Sequence, residues 1–148
     1  GQETFAVLGG DLRQYWVAQG LEKLGYRVGR YAVSDPAGSM PRTQTLQEAL
    51  SAAEFVILPV PAFQGDGTLT GTTVGQTALL AEMAPGTWVF GGRLGDWSAE
   101  AADRGLHPVD YLALEEMAVA NAIPTAAAIS PSIIVRNNVK SYLYGYYF

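Results

Sequence analysis

No cysteine occurs among the 148 residues. That excludes a disulfide framework and any thiolate metal site, and it agrees with a cytosolic protein. Histidine is nearly missing too: His107 stands alone. One imidazole makes no histidine metal cluster, and at this place in the chain no nucleophile–histidine–acid set can be assembled around it. Charge is sparse, at 16% of residues, and cations are the rarer sign, with nine Lys and Arg against fourteen Asp and Glu, net −5. The nine are scattered, which excludes the clustered cationic footprint that nucleic acid requires. No apolar run reaches the length of a membrane span. The first residues lack the basic region and long apolar stretch of a secretory signal. What is present is a hydrophobic fraction of 49% in a chain of one-domain length, enough to bury a real core.

Short apolar runs alternate with helical patterns. Strands are predicted over residues 4–8, 27–33, 55–58, 87–90 and 106–111. Helices are predicted over 11–24, 45–53, 74–83, 98–104 and 114–121. In the first helix Leu12, Trp16, Val17, Leu21 and Leu24 form the expected inward stripe. Ser98 is the expected N-cap of the fourth, with Glu100 in its first turn. The unbroken Phe55-Val56-Ile57-Leu58 reads as a strand covered on both faces. Five such repeats predict an α/β, doubly wound, mostly parallel five-stranded, Rossmann-like (flavodoxin-like) three-layer sandwich. Ligands in such folds sit at the carboxyl ends of the strands, near the topological switch point. The loops there are residues 9–13, 59–71 and 91–96, all rich in Gly, Pro and polar residues.

The first of these loops, Gly9-Gly10-Asp11-Leu12-Arg13-Gln14, follows a strand and opens a helix, the place of a dinucleotide fingerprint. Counting from Gly9, the second and third glycines of that fingerprint fall on Asp11 and Gln14. Asp11 also puts a carboxylate where a phosphate would sit. Two readings stay open: Asp11 is an N-cap after a tight turn, or Arg13 and Gln14 project into the crevice and Arg13 clamps a carboxylate. Pro59 and Pro61 fix the chain's exit from the third strand, and their loop, with Asp66, either is rigid scaffold or rims a pocket. Gly91-Gly92-Arg93-Leu94-Gly95 is a flexible turn or a ligand loop with one added cation. His107 is read as structural, at the strand end away from the crevice. Glu115 and Glu116 are read as a solvated helix face, because neighbours on a helix point about 100° apart.

The last eighteen residues differ in composition. Residues 1–130 hold 7 basic and 14 acidic side chains, residues 131–148 hold 2 and none, and five of the sixteen aromatics are Tyr142, Tyr144, Tyr146, Tyr147 and Phe148. This segment is expected to pack as a strand or helix, or to be foreign to the fold.

Four strings stand in order: Val7-Leu8-Gly9-Gly10-Asp11-Leu12-Arg13-Gln14, Ile57-Leu58-Pro59-Val60, Val89-Phe90-Gly91-Gly92 and Asn121-Ala122-Ile123-Pro124-Thr125. Together they resemble the N-terminal domain of the dipicolinate synthase A subunit, over residues 1–125. The remainder, 126–148, is an atypical aromatic tail with Ala127 and Ala128 where the family carries Glu-Gly. The resemblance implies a Rossmann-like domain forming the substrate side of an oxidoreductase subunit that makes dipicolinic acid during sporulation. NADP or NAD is expected in a further C-terminal domain, and no cofactor in this chain. The implied setting is the cytoplasm of a sporulating mother cell. The implied partners are a small dicarboxylate, further copies of the chain and the B subunit, with no nucleic acid and no membrane. The expected substrate-contacting set is Gly9, Gly10, Asp11, Arg13, Gln14, Pro59, Gly91, Gly92, Arg93, Asn121 and Thr125. The catalytic residues stay unassigned and no metal site is expected. On this reading the chain alone is not a complete dehydrogenase. The alternative is a non-catalytic, self-associating α/β module that binds a partner or a small ligand.

Overall fold

The computed structural model describes residues 4–34, 36, 45–110, 139, 143 and 145–147. Within them the chain runs β1 (Thr4–Leu8), α1 (Leu12–Lys23), β2 (Arg27–Tyr31), α2 (Leu46–Leu50), β3 (Phe55–Ile57), α3 (Gln76–Ala81), β4 (Trp88–Gly91), α4 (Trp97–Asp103) and β5 (His107–Asp110). The five strands form one sheet in the order β2-β1-β3-β4-β5, and every pairing is parallel. Ala6 lies between Gly29 and Val56, and Val56 is paired in turn with Val89. The chain reverses its winding between β1 and β3, so the switch point lies at their carboxyl ends.

Side chains of one strand alternate between the sheet's faces, and each face has its own core. Ala6, Leu8, Val56, Leu58 and Val89 meet Ala49 and Leu50 of α2, Leu79 and Leu80 of α3, and Trp97 and Ala101 of α4. Phe5, Val7, Phe55, Ile57 and Phe90 meet Val17, Ala18 and Leu21 of α1, together with Val139 and Leu143. Residues from the aromatic segment are thus buried in the layer beside α1. Their spacing of four places both on one side of a helical turn. The α/β sandwich and its winding agree with the sequence.

Three local expectations are corrected. Leu12, Trp16 and Leu24 are 46%, 49% and 59% exposed, and the inward stripe of α1 is Gln14, Val17, Ala18, Gly20 and Leu21. A polar residue heads that stripe because it has backbone acceptors to satisfy, at the switch point. Ser98 is not the N-cap of α4: that position is Asp96, which makes no side-chain cap bond, while the Ser98 hydroxyl donates to the Gly95 carbonyl at 2.9 Å. Glu100 does lie in the first turn. The second strand ends at Tyr31, because Ala32 takes a left-handed φ of 55° that breaks the extended run. The predicted helix 114–121, with Glu115 and Glu116, lies outside the described residues.

Candidate functional site

Three chain segments meet at the carboxyl edge of the sheet. The first is the turn after β1. Gly9 and Gly10 both have positive φ, 59° and 80°, which glycine adopts without steric cost. A Cβ on Gly9 would stand 2.4 Å from the Thr70 carbonyl oxygen, and one on Gly10 would stand 2.6 Å from Gln14 Cγ. The close approach that these glycines permit is made by the chain itself. The Gly9 N–H donates to the Tyr31 carbonyl and the Gly10 N–H to the Thr70 carbonyl, each at 2.8 Å.

Residues 58–75 are the second segment, and they are an ordered structure rather than a slack loop. Phe63 bridges Leu69, and Thr68 bridges Gly75. The Gln64 side-chain amide donates to the Thr68 hydroxyl, the Leu69 carbonyl and the Thr72 carbonyl. Asp66 accepts from both the N–H and the hydroxyl of Thr68, and the hydroxyl bond is the main reason its carboxyl lies below the usual range. This hairpin lays Thr70 and Gly71 over the first turn.

The third segment follows β4. Gly91 and Gly92 are buried: a Cβ on Gly92 would come 2.6 Å from Val60, and one on Gly91 would come 3.1 Å from Leu58. The Ala62 N–H donates to the Gly92 carbonyl at 2.8 Å. Arg93 has φ 58°, held because Asp110, at the end of β5, accepts from the N–H groups of Arg93 and Leu94 at 3.2 and 2.9 Å. The Arg93 side chain is exposed.

Asp11 is the N-cap of α1, accepting the Arg13 N–H at 2.9 Å. Its two carboxylate oxygens also hold the Arg13 guanidinium: Nε donates at 3.0 and 3.1 Å and Nη2 at 2.9 Å. A further Arg13 Nη2 bond reaches the Val60 carbonyl at 3.3 Å. The hydrogen bond from Arg13 keeps the Asp11 carboxyl below its ordinary value and raises the guanidinium in return. Behind this pair, Gln14 is fully buried. Its amide nitrogen donates to the Leu8 carbonyl at 2.8 Å and the Ile57 carbonyl at 3.1 Å, joining the ends of β1 and β3 at the switch point. Its oxygen accepts the Tyr147 hydroxyl at 2.5 Å, and the Tyr147 ring lies 4.6 Å from the Arg13 guanidinium carbon. Burial pushes the Tyr147 phenol up, well beyond the usual tyrosine range.

The structure therefore gathers Gly9, Gly10, Asp11, Arg13, Gln14 and Pro59 at the β1–β3 switch point. Gly91, Gly92 and Arg93 stand across Val60. Gln14 does not project into the crevice, and Pro59 is buried against the turn. Asn121 and Thr125 lie outside the described residues. Tyr147, Thr70 and Asp110 join the site without being among the expected contacts. Of these, Tyr147 has a signal in the sequence, the spacing Val139, Leu143, Tyr147 that puts three large residues on one helical face. His107 stands at the opposite end of β5 stacked on Trp88, centroids 4.4 Å apart. A shallow pocket along Glu54, Gly86, Thr87 and Trp88 lies at that same amino edge, away from the switch point.

The first turn does not fit a dinucleotide pyrophosphate, because the Gly9 and Gly10 amides are bonded to the chain and Thr70 stands over it. Among the described residues, no group of three or more His, Cys, Asp or Glu could hold a metal ion. No helix among them is long and apolar enough to cross a membrane.

Residues 4–112 match the family of N-terminal domains of the dipicolinate synthase A subunit. Solved structures with the same fold include dipicolinate synthase, A chain, from Bacillus subtilis, at 17% identity and a TM-score of 0.56 over 84% of this chain and 50% of that one. The dipicolinate synthase A subunit from Bacillus halodurans is similar at 11% identity and a TM-score of 0.56, covering 84% of this chain and 52% of that one. The chain spans about half the length of these structures. No curated protein sequence matches it.

Proposed function

The chain belongs to the family of dipicolinate synthase A-subunit N-terminal domains, and from that membership and the geometry of the carboxyl edge we infer that it forms the substrate side of a dipicolinate-synthase-like oxidoreductase subunit. Its ligand is a small dicarboxylate of the dipicolinate type, made in spore formation from a dihydrodipicolinate-pathway intermediate. The supporting observation is Arg13: a guanidinium at the switch point, presented as a fork to a carboxylate, which is the geometry that recognises carboxylates. Arg93 supplies a second, exposed cation at the end of β4. Asn121 and Thr125 belong to the same proposal as ligand contacts, and Gly9, Gly10, Gln14, Pro59, Gly91 and Gly92 belong to it as the frame that holds the site. NADP or NAD is held by a further domain of the whole protein, since the first turn here is filled by Thr70. The proposed partners are further copies of the chain and the B subunit, and the proposed setting is the cytoplasm of the sporulating mother cell. Isothermal titration with dipicolinate should show binding at millimolar or tighter affinity, and Arg13→Ala should weaken it by about tenfold or more, the worth of a charge-assisted contact. Absence of heat at every concentration would refute the site.

A second reading, self-association without catalysis, is favoured by one observation. Leu12 and Trp16, one turn apart on α1, are both about half exposed, and contiguous apolar surface of this kind marks contact sites. Sedimentation velocity should show a concentration-dependent rise in mass that Trp16→Ser abolishes. A strict monomer at high concentration removes this reading.

A further inference from the structure

We propose that Asp11 is a built-in stand-in for a ligand carboxylate, filling the Arg13 fork until a dicarboxylate displaces it, while Tyr147 keeps the guanidinium in place through the exchange. The inference rests on the dicarboxylate reading of this site. Both Asp11 oxygens are engaged by Arg13, through Nε at 3.0 and 3.1 Å and Nη2 at 2.9 Å. This is the contact that a ligand carboxylate would make. The helix does not need it: capping requires only an oxygen that accepts the Arg13 N–H, and serine or asparagine supplies that without charge.

The pair is also easy to part. Its side chains are 44% and 58% exposed, and exposed ion pairs are weak because water competes for both partners. Arg13 has supports that survive the loss of Asp11. Nη2 donates to the Val60 carbonyl, and the guanidinium lies over the Tyr147 ring, an attraction between cation and ring face. The ring is held by packing against the core beside α1, and its hydroxyl also donates to Gln14, whose amide is fixed on the Leu8 and Ile57 carbonyls. Tyr147 is therefore a positioning residue, acting through Arg13.

The test is dipicolinate binding to the full chain by calorimetry. Asp11→Asn and Asp11→Ser, both of which keep the cap, should bind about fivefold more tightly, the worth of an exposed ion pair that no longer competes. Tyr147→Leu should bind about threefold more weakly, and Tyr147→Phe, which keeps the ring, should recover most of that loss. If the unaltered chain binds and both Asp11 variants bind equally or more weakly, the stand-in is refuted while the site survives. Equal loss in the Leu and Phe variants refutes the role of the ring. If neither the unaltered chain nor any variant binds, the proposal falls together with the dicarboxylate reading.

Discussion

Leu143→Asp should abolish cooperative folding. Leu143 is 1% exposed and packs in the core that also holds Phe5, Phe55, Phe90 and Leu21. Removing a buried leucine side chain costs about 2–5 kcal/mol, through lost transfer energy and the cavity left behind. An aspartate there adds several kcal/mol of desolvation, because no basic partner is offered by those apolar neighbours. The sum rivals the roughly 5–15 kcal/mol total stability of an ordinary domain. Leu143→Ala should keep the fold and lose about 2–5 kcal/mol, read as a lower urea midpoint followed by circular dichroism. An unchanged midpoint in Leu143→Ala would mean that the layer beside α1 is complete without this residue.

The contrast between Leu143 and the composition around it shows where sequence reasoning reaches and where it stops. The unbroken run Phe55-Val56-Ile57-Leu58 announces a strand buried on both faces, and every one of those side chains is indeed buried. The parallel winding follows from the repeated strand–helix spacing, which leaves few topologies open. The aromatic tail looks alien when composition is weighed before spacing, while Val139 and Leu143 are spaced to share one face. In α1, apolarity alone puts Leu12, Trp16 and Leu24 inward. The interior is occupied at that end by Gln14, because the parting strands β1 and β3 leave two carbonyl oxygens there that need N–H partners. No periodicity rule ranks a polar side chain by the acceptors waiting for it. The glycines of the first turn are ambiguous for a related reason. A missing Cβ lets a ligand or another backbone approach equally well, and here Thr70 takes the space. Arg13 reads from its position as a carboxylate clamp; that its nearest carboxylate is Asp11, two residues away, depends on a side-chain rotamer that spacing does not fix.

Gln14→Leu should be the most damaging single change at the switch point. It removes the amide that donates to the Leu8 carbonyl at 2.8 Å and the Ile57 carbonyl at 3.1 Å, and the oxygen that accepts from Tyr147. Shape is nearly kept, so the loss is polar: buried groups left without a partner cost about 1–3 kcal/mol each. Even at the low end of that range for each of the three groups, a loss of about 3 kcal/mol is expected. Gln14→Glu separates the donor from the shape. A carboxylate facing two carbonyl oxygens has no N–H to give, so burial and those dipoles push its pKa above the ordinary glutamate value of about 4.3. The folded state then binds the proton more tightly than the unfolded chain does. Stability is therefore retained below about pH 4.3 and falls as pH rises toward the raised folded value, where the loss levels off. Thermal unfolding of Gln14→Glu at pH 4 and pH 7 should show a lower midpoint at pH 7 relative to the unaltered chain, while Gln14→Leu should show the same deficit at both. A pH-independent Gln14→Glu would mean that the side chain has turned out to solvent, and that the β1–β3 carbonyls do not depend on it.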